Sequence, residues 1–410
     1  MPLKQVDPKS DHNRINNNYN NEKMENIPEY EEFLKQIKIN MWLSGIPYGD
    51  RKIYFRFFAT YFQLLLMIVL ETSFFVSKIS AENFLELTQL APCTSIGILT
   101  ALKTGAILQK RTKIYDLTER LGKLYQNIYN DEKKINLVKK DLVLVNFLMK
   151  YYVVLNVVLI SVYNFSSPCI MMYHYFRTNE LIFKLPYAVL VPFSTETWLP
   201  WTIVYVYSVM CGFVCIIFYT MVDGLYFVLT SHVCANFSVI SDTIERLDRV
   251  TVNHLANIVK EHQYILKLGE DLEDIFTAAN LFNVLVGSLV ICALGFNLTK
   301  GSWEQFPGCI LFLVSVLVQI FMMSLFGENM LRESSKIGDA AFLCKWFEMD
   351  EKSKKTILTI MIRAKKPQQL TAYKFSTISY GSFTKIISTS WSYFTILRTV
   401  YTPPEVSHSD

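Results

Sequence analysis

Apolar residues along this 410-residue chain gather into long runs instead of alternating with polar ones. A helix needs roughly 20 predominantly apolar residues to cross a bilayer. Runs of that length fall at 57–77, 84–107, 147–166, 198–222, 275–297, 308–326 and 375–401. The pattern therefore predicts an all-α membrane protein with seven transmembrane helices. Beyond the fourth run the helical pattern does not stop. Residues 223–274 contain no Pro and, after Gly224 at their start, a single internal Gly, Gly269, while Leu255, Ile258, His262 and Ile265 keep helical spacing, so one helix leaves the membrane and another returns as the fifth span. Residues 327–374 repeat the arrangement, with Ala340, Ala341, Phe342, Leu343, Trp346 and Phe347 ahead of a Lys-rich turn and a second apolar helix over 357–362. These amphipathic helices need a partner, in the same chain or in another subunit. Residues 30–48 predict an interfacial or re-entrant helix ending at Pro47, with Trp42 at headgroup depth.

Composition agrees with the pattern. The chain is 51% hydrophobic and 19% charged, with mean hydropathy +0.24, whereas soluble domains carry about 25% charged residues. Net charge is +4, which gives no reason to expect a nucleic-acid partner. The placement of charge carries more. Lys and Arg number nine in 1–56, nine in 108–146, four in 223–274 and nine in 327–373, against one, two and one in the alternate loops. By the positive-inside rule the N-terminal segment 1–56 is cytoplasmic, as are 223–274 and 327–374, and the tail 402–410 is extracellular. The start of the chain is polar and carries no apolar run of the signal-peptide kind.

The seventh run is unlike the others. It holds a dozen Ser, Thr and Lys residues, more than a lipid-facing helix tolerates. Ser388, Ser392, Thr395 and Thr399 share one helical face, and Ile396 sits on it. A hydrophobic ring flanked by hydroxyls suits a dewetting gate; hydrogen bonding to neighbouring helices is the alternative. Elsewhere, Glu71 and Lys150 are ionisable residues at or near membrane depth, Lys150 within snorkelling reach of the surface. Asn164-Phe-Ser and Asn297-Leu-Thr are sequons at outer ends of spans, hence candidate glycosylation sites. Cys169 and Cys309 lie near the outer side, where a disulfide between them is conceivable. The six His are scattered, no metal-ligand spacing occurs and no Gly-rich phosphate loop is present, so neither an enzyme nor a cofactor is expected.

The closing run Lys374-Phe-Ser-Thr-Ile-Ser, followed by Phe383-Thr-Lys-Ile-Ile-Ser-Thr-Ser-Trp-Ser-Tyr-Phe-Thr-Ile-Leu-Arg-Thr-Val, resembles the C-terminal signature of the insect odorant receptors. Ser44-Gly45-Ile46-Pro47, Asp223, Lys345-Trp346-Phe347-Glu348 and Ala364-Lys-Lys-Pro-Gln are similar to that family too. Pro47 directly after Ile46 and Ser376 in place of an aromatic depart from it. The resemblance implies an odour-tuning subunit of a heteromeric, ligand-gated, non-selective cation channel, a tetramer formed with a shared coreceptor subunit. That coreceptor has an extended fourth loop, which this chain lacks. By the same resemblance the cytoplasmic helices anchor the tetramer, the seventh helices line a central pore, Ile396 takes the gate position beside Ser392, and Thr399 lines the pore outside it. The ligand, a small volatile organic molecule, would bind in the outer half of the bundle formed by 57–222 and the sixth span. Candidate lining residues are Leu87, Leu90, Ala91 and Thr94; Leu155, Leu159, Val162 and Tyr163; Trp201, Val204, Tyr205 and Ser208; and Phe312, Ser315, Val316 and Gln319. Membrane lipid and permeating cations complete the expected partners, and the implied location is the dendritic plasma membrane of olfactory sensory neurons. A gustatory receptor channel of the same superfamily is the nearest alternative. A G-protein-coupled receptor is opposed by the charge asymmetry, by Asp248-Arg249-Val250 lying in the fourth loop, and by the lack of Asn-Pro-x-x-Tyr in the seventh span.

Overall fold

The structure, a computed structural model, describes residues 28–48, 52–79, 84–300 and 306–401. The N-terminal tract 1–27 and the tail 402–410, which the charge asymmetry predicts on opposite sides of a membrane, lie outside these residues. The described chain folds into α1 (Tyr30–Ser44), α2 (Phe55–Ser77), α3 (Phe84–Gln109), α4 (Arg111–Tyr129), α5 (Glu132–Thr178), α6 (Trp198–Glu245), α7 (Leu255–Lys300), α8 (Phe306–Leu343), α9 (Glu351–Ala364) and α10 (Tyr380–Tyr401). Short 3₁₀ turns at Val252–His254 and Trp346–Glu348 precede α7 and α9. Among the described residues α2, α3, α5, α6, α7 and α8 are long and apolar enough to cross a membrane, while α10 is a seventh, more polar helix.

Helix length divides the molecule. α5, α6 and α7 have 47, 48 and 46 residues, or about 70 Å each at 1.5 Å per residue, more than twice the thickness of a hydrocarbon core. One part of each must project. We call the projecting half, which holds α1, α4 and α9, the lower half, and the half that holds the 179–197 segment the upper half.

α1 belongs to the lower half. It buries Phe33, Leu34, Ile37 and Met41 and donates from Asn40 Nδ2 to Thr220 Oγ1 on α6 at 3.0 Å. It stops at Gly45, whose φ of +81° lets its N–H turn back onto the carbonyls of Met41 and Trp42. A Cβ at that position would meet the backbone N of Phe57 at 2.4 Å, so the entry to α2 requires glycine there. Trp42 is exposed, with the Arg56 guanidinium 4.5 Å above its ring.

The seventh helix starts later than the apolar run predicts. Residues 375–379 are not helical. Thr371–Ala372 and Ser376–Thr377 form an antiparallel hairpin, with Thr371 opposite Thr377 and Ala372 opposite Ser376. Tyr373 and Lys374 take φ of +50° and +62°, and the Phe375 N–H donates to the Ala372 carbonyl at 3.0 Å. Positive φ at both central residues matches the twist that a hairpin needs, although neither residue is a usual occupant. Tertiary bonds offset the local cost. Tyr373 N–H donates to Thr277 Oγ1 at 2.8 Å, Thr371 Oγ1 donates to Glu273 Oε1 at 2.7 Å, and Ile378 N–H donates to the Leu370 carbonyl at 2.8 Å. The chain leaving the hairpin presses on α8 where only glycine fits, since a Cβ on Gly327 would sit 2.3 Å from the Ile378 carbonyl.

Candidate functional site

The upper half contains two adjoining cavities. The deeper one, about 80 Å³, is walled by Leu64, Met67, Ile68 and Glu71 of α2, Cys93, Ile96 and Gly97 of α3, and Asn156, Leu159, Ile160 and Tyr163 of α5, with further residues from α6 and α8. The outer one, about 440 Å³, lies between α3, α5, the 184–188 segment and the start of α8. Glu71, Cys93, Tyr163 and Tyr187 line both. Together they form a mostly apolar and aromatic chamber of the size that takes a small organic molecule.

Half of the expected lining residues are there. Leu90, Thr94, Val162 and Tyr163 face the outer cavity, and Leu159, Tyr163, Phe312, Ser315 and Val316 face the deeper one. Leu87, Ala91, Leu155, Trp201, Val204, Tyr205, Ser208 and Gln319 line neither. The reason on α6 is visible. Trp201 donates from Nε1 to the Lys184 carbonyl at 2.9 Å and stacks on Tyr205 with centroids 4.9 Å apart. Tyr205 donates to the Asn164 carbonyl at 3.1 Å, and Val204 packs with Met67, Val189 and Cys211. These residues hold the 179–197 segment down, and that segment supplies a lining residue which no helical pattern could point to, Tyr187. α2 also contributes where no lining was expected. Of its lining residues only Glu71 carries a signal in the sequence, as an acid inside a span.

Both sequons are corrected by burial. Asn164 is fully buried, its Oδ1 accepting from the Tyr187 hydroxyl at 3.0 Å; Asn297 is 4% exposed and donates from Nδ2 to the Thr88 carbonyl at 2.8 Å. Neither amide is open to a glycan in this fold. Cys169 and Cys309 both reach the outer cavity, but as free thiols.

A buried ionic cluster lies beneath the chamber. Lys103 Nζ of α3 meets Asp223 Oδ1 of α6 at 2.5 Å, and the Tyr152 hydroxyl of α5 donates to Asp223 Oδ2 at 2.7 Å. The ammonium also lies 4.4 Å from the ring centre of Tyr219, which lines the deeper cavity. All four side chains are buried. A charge removed from water is tolerated when paired and hydrogen bonded, and here the pairing ties three helices together.

α10 presents a second candidate surface. One stripe, Ser382, Ile386, Ser390 and Phe394, is buried. Phe394 packs on Cys292 and Phe296 of α7, and Ser390 Oγ donates to the Ser288 carbonyl at 3.0 Å. The other face is bare. Ser388, Ser392, Thr395 and Thr399 are exposed, and Ile396 among them is 58% exposed. The hydroxyls of Ser392, Thr395 and Thr399 donate only within α10, to the carbonyls of Ser388, Ser392 and Thr395 at 2.8–3.0 Å. They are not spent on neighbouring helices of the same chain.

With this geometry established, similarities to known proteins become informative. A model of the family described as "7tm Odorant receptor" matches residues 83–391. Odorant receptor 67c of Drosophila melanogaster is 25% identical over 85% of this chain and 88% of its own length. Odorant receptor 85b of the same fly is 26% identical over 92% of this chain and its full length. In fold, the chain is similar to the insect olfactory receptor OR5 from Machilis hrabei in complex with eugenol, with a TM-score of 0.76, 17% identity, and coverage of 91% of this chain and all of that one.

Proposed function

Because the chain belongs to the 7tm odorant receptor family, a family of multi-pass receptors and not of enzymes, we propose that it is the odour-tuning subunit of a ligand-gated, non-selective cation channel. In this reading it assembles with a shared coreceptor subunit into a heterotetramer. The N-terminus is cytoplasmic, the lower half is the cytoplasmic anchor, and the tail is extracellular. A small volatile organic molecule enters the upper cavities, held by shape and dispersion against apolar and aromatic walls. The receptor works in the plasma membrane, at the dendrites of olfactory sensory neurons.

One observation carries the reading: the hydroxyl face of α10 is exposed in the single chain and uncommitted to its neighbours. Hydroxyls facing lipid would be a poor use of a spanning helix, whereas the same face turned toward equivalent helices around an axis lines a path for hydrated cations. Ile396 is the hydrophobic constriction in that path, with Ser392 below it and Thr399 above. The test is electrical. Cells expressing the chain with the coreceptor are expected to give odour-evoked cation currents, and Ile396→Ser is expected to raise the current without odour, since a polar ring wets more readily. Odour responses that persist with unchanged resting current, ion selectivity and conductance in both Ile396→Ser and Thr399→Ala would place the pore elsewhere.

A further inference from the structure

The chamber contains one carboxylate. Glu71 is 8% exposed, reaches the chamber from α2, and lines both cavities at the point where they adjoin. Its polar neighbour is Thr94 of α3, which lines the outer cavity beside it. No Lys, Arg or His of the described residues makes an ion pair with it, in contrast to Asp223 and Glu333, the other deeply buried acids, which pair with Lys103 and with Arg332 and Lys336. Lys184 lines the outer cavity only. A carboxylate held away from water, beside open space and without a cation, is matched by a ligand that brings one. The surroundings fit the rest of such a ligand. Tyr163 and Tyr187 offer aromatic faces next to Glu71, suited to a cation's flank, and Leu90, Val162 and Leu159 offer apolar contact.

Resting on the receptor reading above, we propose that the ligand class of this chamber is a small organic amine, whose ammonium pairs with Glu71 at the junction of the two cavities while its hydrocarbon body fills the outer one. Glu71 is then the residue that selects head group, and the apolar walls select length. A purely structural Glu71, serving only to hold α2 to α3 through Thr94, would be replaced by Gln with little effect on ligand preference.

Binding and gating are measured separately. For binding, the purified receptor with its coreceptor in lipid nanodiscs is heated with matched probes: alkylamines from propyl to octyl, the corresponding alcohols, and the corresponding alkanes. Wild type is expected to be stabilised most by an amine. Glu71→Gln is expected to lose roughly ten- to a hundredfold in amine affinity, the factor for removing a charge-assisted hydrogen bond, while alcohols and alkanes keep theirs. Glu71→Asp, which retains the charge, is expected to keep amines ahead. An unchanged head-group order in Glu71→Gln, or a wild type that prefers alcohols or alkanes over every amine, would overturn the proposal. Odour-evoked current in cells reports on the channel reading instead: Glu71-dependent amine binding without current would leave this assignment standing and remove that one.

Discussion

The two halves of α6 are built differently although both are apolar. From 198 to 217 the buried positions, Trp201, Val204, Ser208, Cys211, Gly212 and Ile216, fall on one face, and Cys211, Gly212 and Ile216 of that face border the deeper cavity. From 218 to 237 every residue is buried. The upper stretch of α6 is one wall of a ring of helices around the chamber. The lower stretch is wrapped on all sides, as only a fully buried helix is, although a separate cavity of about 260 Å³ opens beside Met221 and Leu225 toward α1 and α4. The difference teaches where each task can be done. A helix face beside open space accommodates a guest and allows small rearrangements; a helix packed on all sides resists deformation and transmits it.

Three sets of substitutions would break or sharpen this contrast. The largest effect is expected at the junction of the halves. Lys103→Met leaves Asp223 buried without its cation and should cost about 3–5 kcal/mol, read as loss of cell-surface expression and a lower unfolding temperature in detergent. Adding Asp223→Leu should recover most of it, and a double variant as damaged as the single one would mean that the pair is not what holds α3 to α6. Next comes one chemical change made in both halves. Leu229→Ala, in the fully buried stretch of α6, should cost about 2–5 kcal/mol, and Leu159→Ala, beside the chamber, should fall at the low end of that range. Leu159→Ala should also move the preferred ligand to a longer chain by a carbon or two. Equal destabilisation with unchanged ligand preference would erase the distinction between the chamber wall and the fully buried stretch. The smallest effect is expected at the rim of the lower half. Asp350 caps α9 through the N–H groups of Lys352 and Ser353. The Ser353 hydroxyl, then those backbone N–H groups, hold its carboxyl below the usual range. The cap therefore persists at neutral pH and is lost only as pH falls through that lowered value. Asp350→Ala should speed amide exchange in the first turn of α9 alone at neutral pH and change nothing at the chamber.

Much of the architecture was legible from the sequence because long apolar runs have few alternatives: α2, α3, α5, α6, α7 and α8 all contain the spans read from hydropathy. The start of α10 was not. Tyr373-Lys374 lacks the Gly or Asn that marks a tight hairpin, and the turn exists because Glu273, Thr277 and Asn280 on α7 bind it, a tertiary cause invisible to local pattern. The chamber was legible by depth but not by rotation. Leu159 and Phe312 were found on the inner faces of their helices, whereas Trp201, at suitable depth, turns instead to the 179–197 segment, and Tyr205 stacks on Trp201 and donates to Asn164 of α5. Tyr187 was out of reach because an irregular segment folding back into a bundle has no periodicity to read. Glu71 was the exception among the missed lining residues, since an acid within a span draws attention whatever its orientation.

The pair between Lys103 and Asp223 also bears on how the chain is made. Lys103 belongs to the second span and Asp223 directly follows the fourth, 120 residues further along. At a ribosome adding about 5–20 residues each second, the lysine leaves the tunnel well before its partner exists. It lies four residues from the lower end of its span, so its ammonium must wait at the headgroups on its long stem during that interval. The second span can settle to its final depth only when the fourth arrives, which makes completion of the first four spans a single late event in biogenesis and leaves a truncated chain without the means to finish it.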